Sequence, residues 1–166
     1  MRTKIIDCFT LVLLAFLCVL CAVVYLPRVF GLDVYYVETD SMTPALQVGC
    51  AVFDKEVSFD EIEVNDIITF TNDEESKFCT HRVVEIDEEG KSLVTKGDNN
   101  SMRDPYNTDF KYVKGKVVFK LPYFGYLFRI LNTAAARITA VSLAVVLLAV
   151  EIELFKSKKK EGGNDD

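Results

Sequence analysis

Three short stretches of this chain of 166 residues supply an alcohol, an imidazole and two carboxylates. The first, ETDSMTPALQVG (Glu38 to Gly49), sets Ser41 at the end of an extended run and just before Pro44, where a turn would hold it and leave its hydroxyl accessible. The second, THRVVEI, carries His81, the sole histidine. An imidazole is the side chain best suited to take a hydroxyl proton near neutral pH. The third, TKGDNNSMRDP, offers Asp98 and Asp104, either of which could bond the far ring nitrogen, fix its tautomer and stabilise the imidazolium. Together these types describe serine acyl transfer. Singly they are ordinary: a serine beside a turn most often bonds the backbone, and a lone histidine is most often a satisfied core or surface residue.

Something must hold these residues outside a bilayer. Ile5 to Leu26, IIDCFTLVLLAFLCVLCAVVYL, is an apolar run with Asp7 as its only charge, and about 1.5 Å of helical rise per residue carries it across a hydrocarbon core. A cleavable secretory signal fits less well, because the run is too long and no small-x-small site precedes Pro27. A second run, Ile138 to Phe155, is interrupted late by Glu151 and Glu153; it reads as a marginal span or as a buried or interfacial helix. Arg2 and Lys4 before the first run, with Lys156, Lys158, Lys159 and Lys160 after the second, place both ends in the cytoplasm. The expected order is therefore a cytoplasmic N-terminus (1–4), a membrane anchor (5–27), an extracytoplasmic domain (28–133), a second membrane helix (134–155) and a charged, disordered tail from Lys156 to Asp166.

From Gly31 to Asn132 the chain has 19 acidic against 11 basic residues, a net of −8, which excludes a nucleic-acid surface. Cys50 and Cys79 stand in this part without metal-ligand spacing, so neither a metal nor another cofactor is expected; the two could form a disulfide or remain buried thiols. β-Rich runs between turn signals predict strands over Cys50 to Phe53, Ile67 to Thr71, Thr80 to Ile86, Ser92 to Thr95 and Tyr112 to Phe119. DEEGK, Asp87 to Lys91, predicts a hairpin turn with Gly90 at positive φ. Gly97 to Asn107 reads as a long loop, and LPYFGYLF, Leu121 to Phe128, as aromatics at a membrane interface or in the core. The fold class is mainly β: an antiparallel sheet or partial barrel between two transmembrane helices.

The order of basic N-terminus, apolar anchor, SMTP, HRV, TKGDNN and a following aspartate resembles the ER-type branch of the type I signal peptidases, over roughly Leu13 to Leu154. That resemblance implies a signal-peptidase-like β domain, Ser41 as nucleophile, and His81 as general base where the main bacterial branch has lysine. It also implies Asp104 as the orienting carboxylate, Asp98 being second choice and more a support of the loop. Thr39, two residues before the nucleophile, would donate to the oxyanion, and Met42 would line the substrate groove or pack in the core. The family commonly reads SGSMEP, whereas here Asp40 replaces the glycine; in an extended strand alternation would turn its charge away from Thr39 and Ser41. Cys50 replaces the aspartate usual after VG, for which we have no account. The implied partners are signal peptides of preproteins with small residues at −3 and −1, the lipid bilayer and the secretion translocon. The compact two-span form favours a bacterial plasma membrane over the ER.

Two other readings compete with this one. Lys96, in TKGD, could serve as the base in place of His81. Alternatively the chain is a catalytically degenerate or non-enzymatic anchored β module that binds exported proteins, Asp40 having disabled the oxyanion site.

Overall fold

A computed structural model describes residues 2–71 and 77–161. The chain divides into two compact units, one made of the residues up to Leu26 with those from Ile130 onward, the other of Pro27–Arg129.

The first unit is helical. Helix α1 spans Arg2–Val29 and α3 spans Ala134–Glu161. Along α1 the buried side chains are Thr10, Leu17 and Val24, seven apart, with half-buried Leu13, Leu14 and Leu20 filling the same stripe. That is the spacing of a seam against another helix. From α3, Leu147 is buried and Glu151 accepts a hydrogen bond from the Thr10 hydroxyl. Among the described residues one helix is long and apolar enough to cross a membrane, over Cys8–Val29. The tail expected to be disordered from Lys156 is helical as far as Glu161; residues 162–166 of it lie outside the described residues.

The second unit is mainly β. Among the described residues seven strands make one antiparallel sheet: β1 Leu32–Tyr36, β2 Ala51–Lys55, β3 Ile67–Phe70, β4 Cys79–Asp87, β5 Ser92–Lys96, β6 Thr108–Asp109 and β7 Val113–Leu121. Their order is β1-β2-β7-β3-β4-β5-β6, so the last strand in sequence is inserted between the second and third. The five runs read from β-branched and aromatic content are β2, β3, β4, β5 and β7; β1 falls in the extended run read before Ser41, and the two-residue β6 was not foreseen. One core cluster gathers Val37, Met42, Leu46, Cys50 and Val52, and another Ile62, Ile68, Phe70, Val83 and Leu93.

At the β4–β5 turn the positive φ falls on Lys91 (46°), not on Gly90. The Gly90 N–H instead bonds Asp87 Oδ1 at 3.1 Å, and a Cβ at residue 90 would lie 2.5 Å from Asp87 Oδ2. Leu121 to Phe128 is split between roles. β7 ends at Leu121, helix α2 begins at Phe124 and runs to Leu131, and within it Gly125 and Phe128 are buried. The Phe128 ring meets Phe53 edge-on at 5.7 Å, while Tyr123, Phe124 and Tyr126 stay exposed. Cys50 and Cys79 are free thiols, so the disulfide alternative is not realised. Burial raises both thiol pKa values; for Cys79, where the Asp104 charge adds to burial, the value is pushed up to about 11.

Candidate active site

After β1 the chain leaves the sheet and returns to it at Ala51, the loop closed at its base by Val37 N–H to Cys50 O and Gly49 N–H to Val37 O, both 2.9 Å. Inside this loop Thr43 N–H bonds Asp40 O at 2.9 Å and Leu46 N–H bonds Met42 O at 2.8 Å. The side chains of Met42 and Leu46, four apart, are each 1% exposed and seat the turn in the core. Ser41 is thus delivered by a turn whose next residue is anchored underneath. Because β1 ends at Tyr36 and residues 39–40 form a bend, strand alternation does not govern Asp40; its side chain is nonetheless exposed. Met42 belongs to the core, and a side chain so enclosed offers a groove almost no surface.

His81 comes from β4, where it pairs with Ile68 of β3 and is buried. Its Nε2 stands 3.2 Å from Ser41 Oγ, and its Nδ1 stands 2.6 Å from Asp104 Oδ2. The edge of Phe70 lies against the ring, with centroids 6.3 Å apart. Hydrogen-bond logic fixes the direction of this chain. A carboxylate only accepts, so Nδ1 carries a proton, and in the neutral ring Nε2 accepts from Ser41. The Ser41 hydroxyl has one proton, already given to the ring, so Thr39 Oγ1, at 3.2 Å from Ser41 Oγ, is the donor there. A proton can pass from oxygen to ring in this arrangement, with a negative charge on the far side to stabilise the imidazolium.

Asp98 does not reach the ring. It grips Arg82, the residue after His81, through two parallel bonds: Arg82 Nε to Oδ1 at 2.8 Å and Nη2 to Oδ2 at 2.6 Å. Arg82 Nη1 continues to Asn65 O at 2.7 Å, and the Asp98 carboxylate raises the pKa of the guanidinium. The neighbouring Asn99 N–H holds Ser41 O at 2.8 Å. Gly97 makes that approach feasible, since a Cβ there would stand 2.7 Å from both Ser41 O and Asn100 Nδ2. The stretch Gly97 to Asn99 therefore ties the serine turn to the histidine strand, which no periodicity in the sequence could reveal. Replacing Asp98 by alanine should release Arg82 and cost about 1 to 3 kcal/mol of stability, because a charge-assisted, bidentate and partly buried pair is lost. Chemical unfolding of the variant in detergent measures it, and an unchanged midpoint would show the pair to be idle.

Lys96 pairs with Arg82, and the adjacent Thr95 pairs with Val83, two residues from His81. Alternation along the strand sends Lys96 to the face opposite His81, away from Ser41. Thr95 was overlooked in the sequence, yet its hydroxyl bonds Asp104 Oδ2 at 2.7 Å. Among the described residues no group of three or more His, Cys, Asp or Glu side chains is gathered in a way that could hold a metal ion.

An antiparallel β unit in which serine, histidine and aspartate are linked in series has the layout of a serine hydrolase. A family model described as signal peptidase, peptidase S26 matches residues 9–117, well over half the chain, and the protein belongs to that family. It is also 35% identical over 100 residues to Signal peptidase I W of Bacillus subtilis (strain 168), across 58% of this chain and 52% of that protein. The chain thus spans about half the length of the curated relative it matches.

Proposed function

We propose that the protein is a membrane-bound serine endopeptidase that removes N-terminal signal peptides from exported preproteins, cutting after small residues at −3 and −1. The observation that carries this reading is the hydrogen-bonded series Ser41, His81, Asp104 within an S26 chain. Ser41 Oγ attacks the scissile carbonyl carbon as His81 Nε2 takes its proton, and Asp104 stabilises the imidazolium. The tetrahedral oxyanion is held by the Ser41 amide and by Thr39, whose hydroxyl turns from Ser41 Oγ to the new oxygen. His81 then protonates the leaving amine; water, deprotonated by the same ring, releases the acyl group and restores Ser41. No cofactor enters these steps.

In this proposal α1 anchors the chain and α3 is a second span, both termini are cytoplasmic, and the β unit faces outward on a bacterial plasma membrane. Apolar character over Cys8–Val29 and the flanking basic residues support it. A signal peptide's apolar segment lies in the same bilayer, so anchoring confines enzyme and substrate to one plane and raises their effective concentration.

The full chain in detergent, given a preprotein with Ala-x-Ala before its mature start, should release the mature protein with the expected N-terminus. Lys96→Ala should leave that activity within about twofold, while His81→Ala should remove it. A reversed pattern would transfer the base role to Lys96. A folded protein that neither cleaves nor labels at Ser41 with a serine-directed phosphonate would instead be the binding module.

A further inference from the structure

Thr95 is fully buried on β5 and holds Asp104 at two points. Its carbonyl accepts the Asp104 N–H at 2.8 Å, and its hydroxyl donates to Asp104 Oδ2 at 2.7 Å. That oxygen is the one His81 Nδ1 faces at 2.6 Å. Asp104 itself lies outside any strand, in the loop between β5 and β6. A carboxylate on a loop has rotational freedom that its partner ring cannot restrain alone, since a single bond to one oxygen leaves the other torsion open. Two contacts from β5, at a residue paired with Val83 of β4, remove that freedom.

We propose that Thr95 is a positioning residue for the catalytic carboxylate: it fixes which oxygen meets His81 and, by sharing that oxygen, limits how basic it is. The proposal rests on the peptidase reading above. The hydroxyl has one proton; with that proton on Asp104 Oδ2, the oxygen gives less of its electron density to the imidazolium. Without the hydroxyl, the carboxylate bears more charge toward the ring, the protonated ring is favoured, and Nε2 is a free base only at higher pH. Orientation is lost at the same time.

The test is Thr95→Val, nearly the same shape without the donor, against Thr95→Ser, which restores it. Thr95→Val should lower kcat roughly ten- to a hundredfold with KM unchanged, as small misplacements of catalytic groups do. The acid limb of its kcat/KM profile should move to higher pH, and Thr95→Ser should recover both. His81 is the only histidine, so its ring signals in an NMR titration are unambiguous and report the same upward movement without any turnover. A merely structural threonine would leave limb and titration where they were. Wild-type kinetics and titration in folded Thr95→Val, with Ser41→Ala inactive beside it, would overturn the proposal and spare the peptidase reading. An inactive wild type whose His81 titration still moves in Thr95→Val would sink the peptidase reading and leave the Thr95–Asp104–His81 coupling standing. If Thr95→Val does not fold, Thr95→Cys, with a weaker donor of similar size, takes its place: an upward shift of the titration supports the proposal and no shift overturns it.

Discussion

Ser41→Ala is expected to abolish cleavage of a preprotein, with kcat falling on the order of 10⁴-fold or more and KM little changed. A drop of 10⁴ corresponds to about 5 kcal/mol of lost transition-state stabilisation. No neighbouring group can replace the missing alcohol. Thr39 Oγ1 is 3.2 Å from Ser41 Oγ and reaches His81 only through that oxygen, so without Ser41 its proton has no path to the base. His81→Ala should be about as damaging, because the two residues act as one unit and each is useless without the other. Asp104→Ala removes the charge 2.6 Å from Nδ1 and frees the ring to take the wrong tautomer, for roughly a 10³- to 10⁴-fold loss. The double variant Ser41→Ala, His81→Ala should be no worse than either single change. The assay is the rate at which mature protein appears under single-turnover and steady-state conditions. Full activity in Ser41→Ala would remove the serine mechanism altogether.

The second large effect concerns stability. Asp54 lies on β2, two residues after buried Val52 and beside the register shift at which β7 skips Val118, in a stretch buried from Ala51 to Asp54. It is 1% exposed, and neither carboxylate oxygen has a hydrogen-bond partner among the described residues. The nearby Thr69 hydroxyl, which also meets Thr80 Oγ1 at 2.9 Å, eases the charge only in part. Burial pushes the Asp54 pKa up from 3.8 to about 7, the adjacent Asp33 adding to it and Thr69 only moderating it.

The sign follows from proton linkage. The native state holds the Asp54 proton up to about pH 7, whereas the unfolded chain gives it up near 3.8, so unfolding releases a proton between these values. Stability from this group is fully present below pH 3.8, declines as pH rises toward 7 and stays low above it. The whole change is roughly 4 kcal/mol. Asp54→Asn, which cannot ionise, should therefore be more stable than the wild type by an amount that grows from acid pH to pH 8 and then levels off. Thermal unfolding in detergent, followed by tyrosine circular dichroism at several pH values, gives the difference curve. A flat difference between pH 4 and pH 8 would mean that Asp54 is not the buried, neutral acid described here.

The two residues mark how far the sequence could be read. The apolar run that became α1 was legible because length and composition alone set it, and β2, β3, β4, β5 and β7 were legible because β-branched and aromatic residues cluster between turn formers. An alcohol, a single imidazole and two aspartates were likewise visible as types suited to one chemistry. Residue types alone left the two aspartates open, and only the family resemblance pointed to Asp104. Asp98 and Asp104 lie six residues apart in one loop, and which of them meets His81 depends on Arg82 capturing the first and Thr95 the second, contacts made across the β4–β5 pairing.

What only the tertiary structure decided has a common cause. Side-chain alternation is a local property, but strand order is not: β7 enters between β2 and β3 from more than 40 residues away, and with β1 it flanks the strand in which Asp54 is buried. β1 was legible only as an extended run before Ser41, because its bounds at Leu32–Tyr36 are set by pairing with β2. The positive φ falls on Lys91, next to the Gly90 N–H that bonds Asp87 Oδ1, and which residue of DEEGK takes it is set only within the finished hairpin. Local sequence thus specified the pieces and the reactive groups, whereas long-range hydrogen bonding selected which groups touch, because those contacts exist only once distant strands have paired.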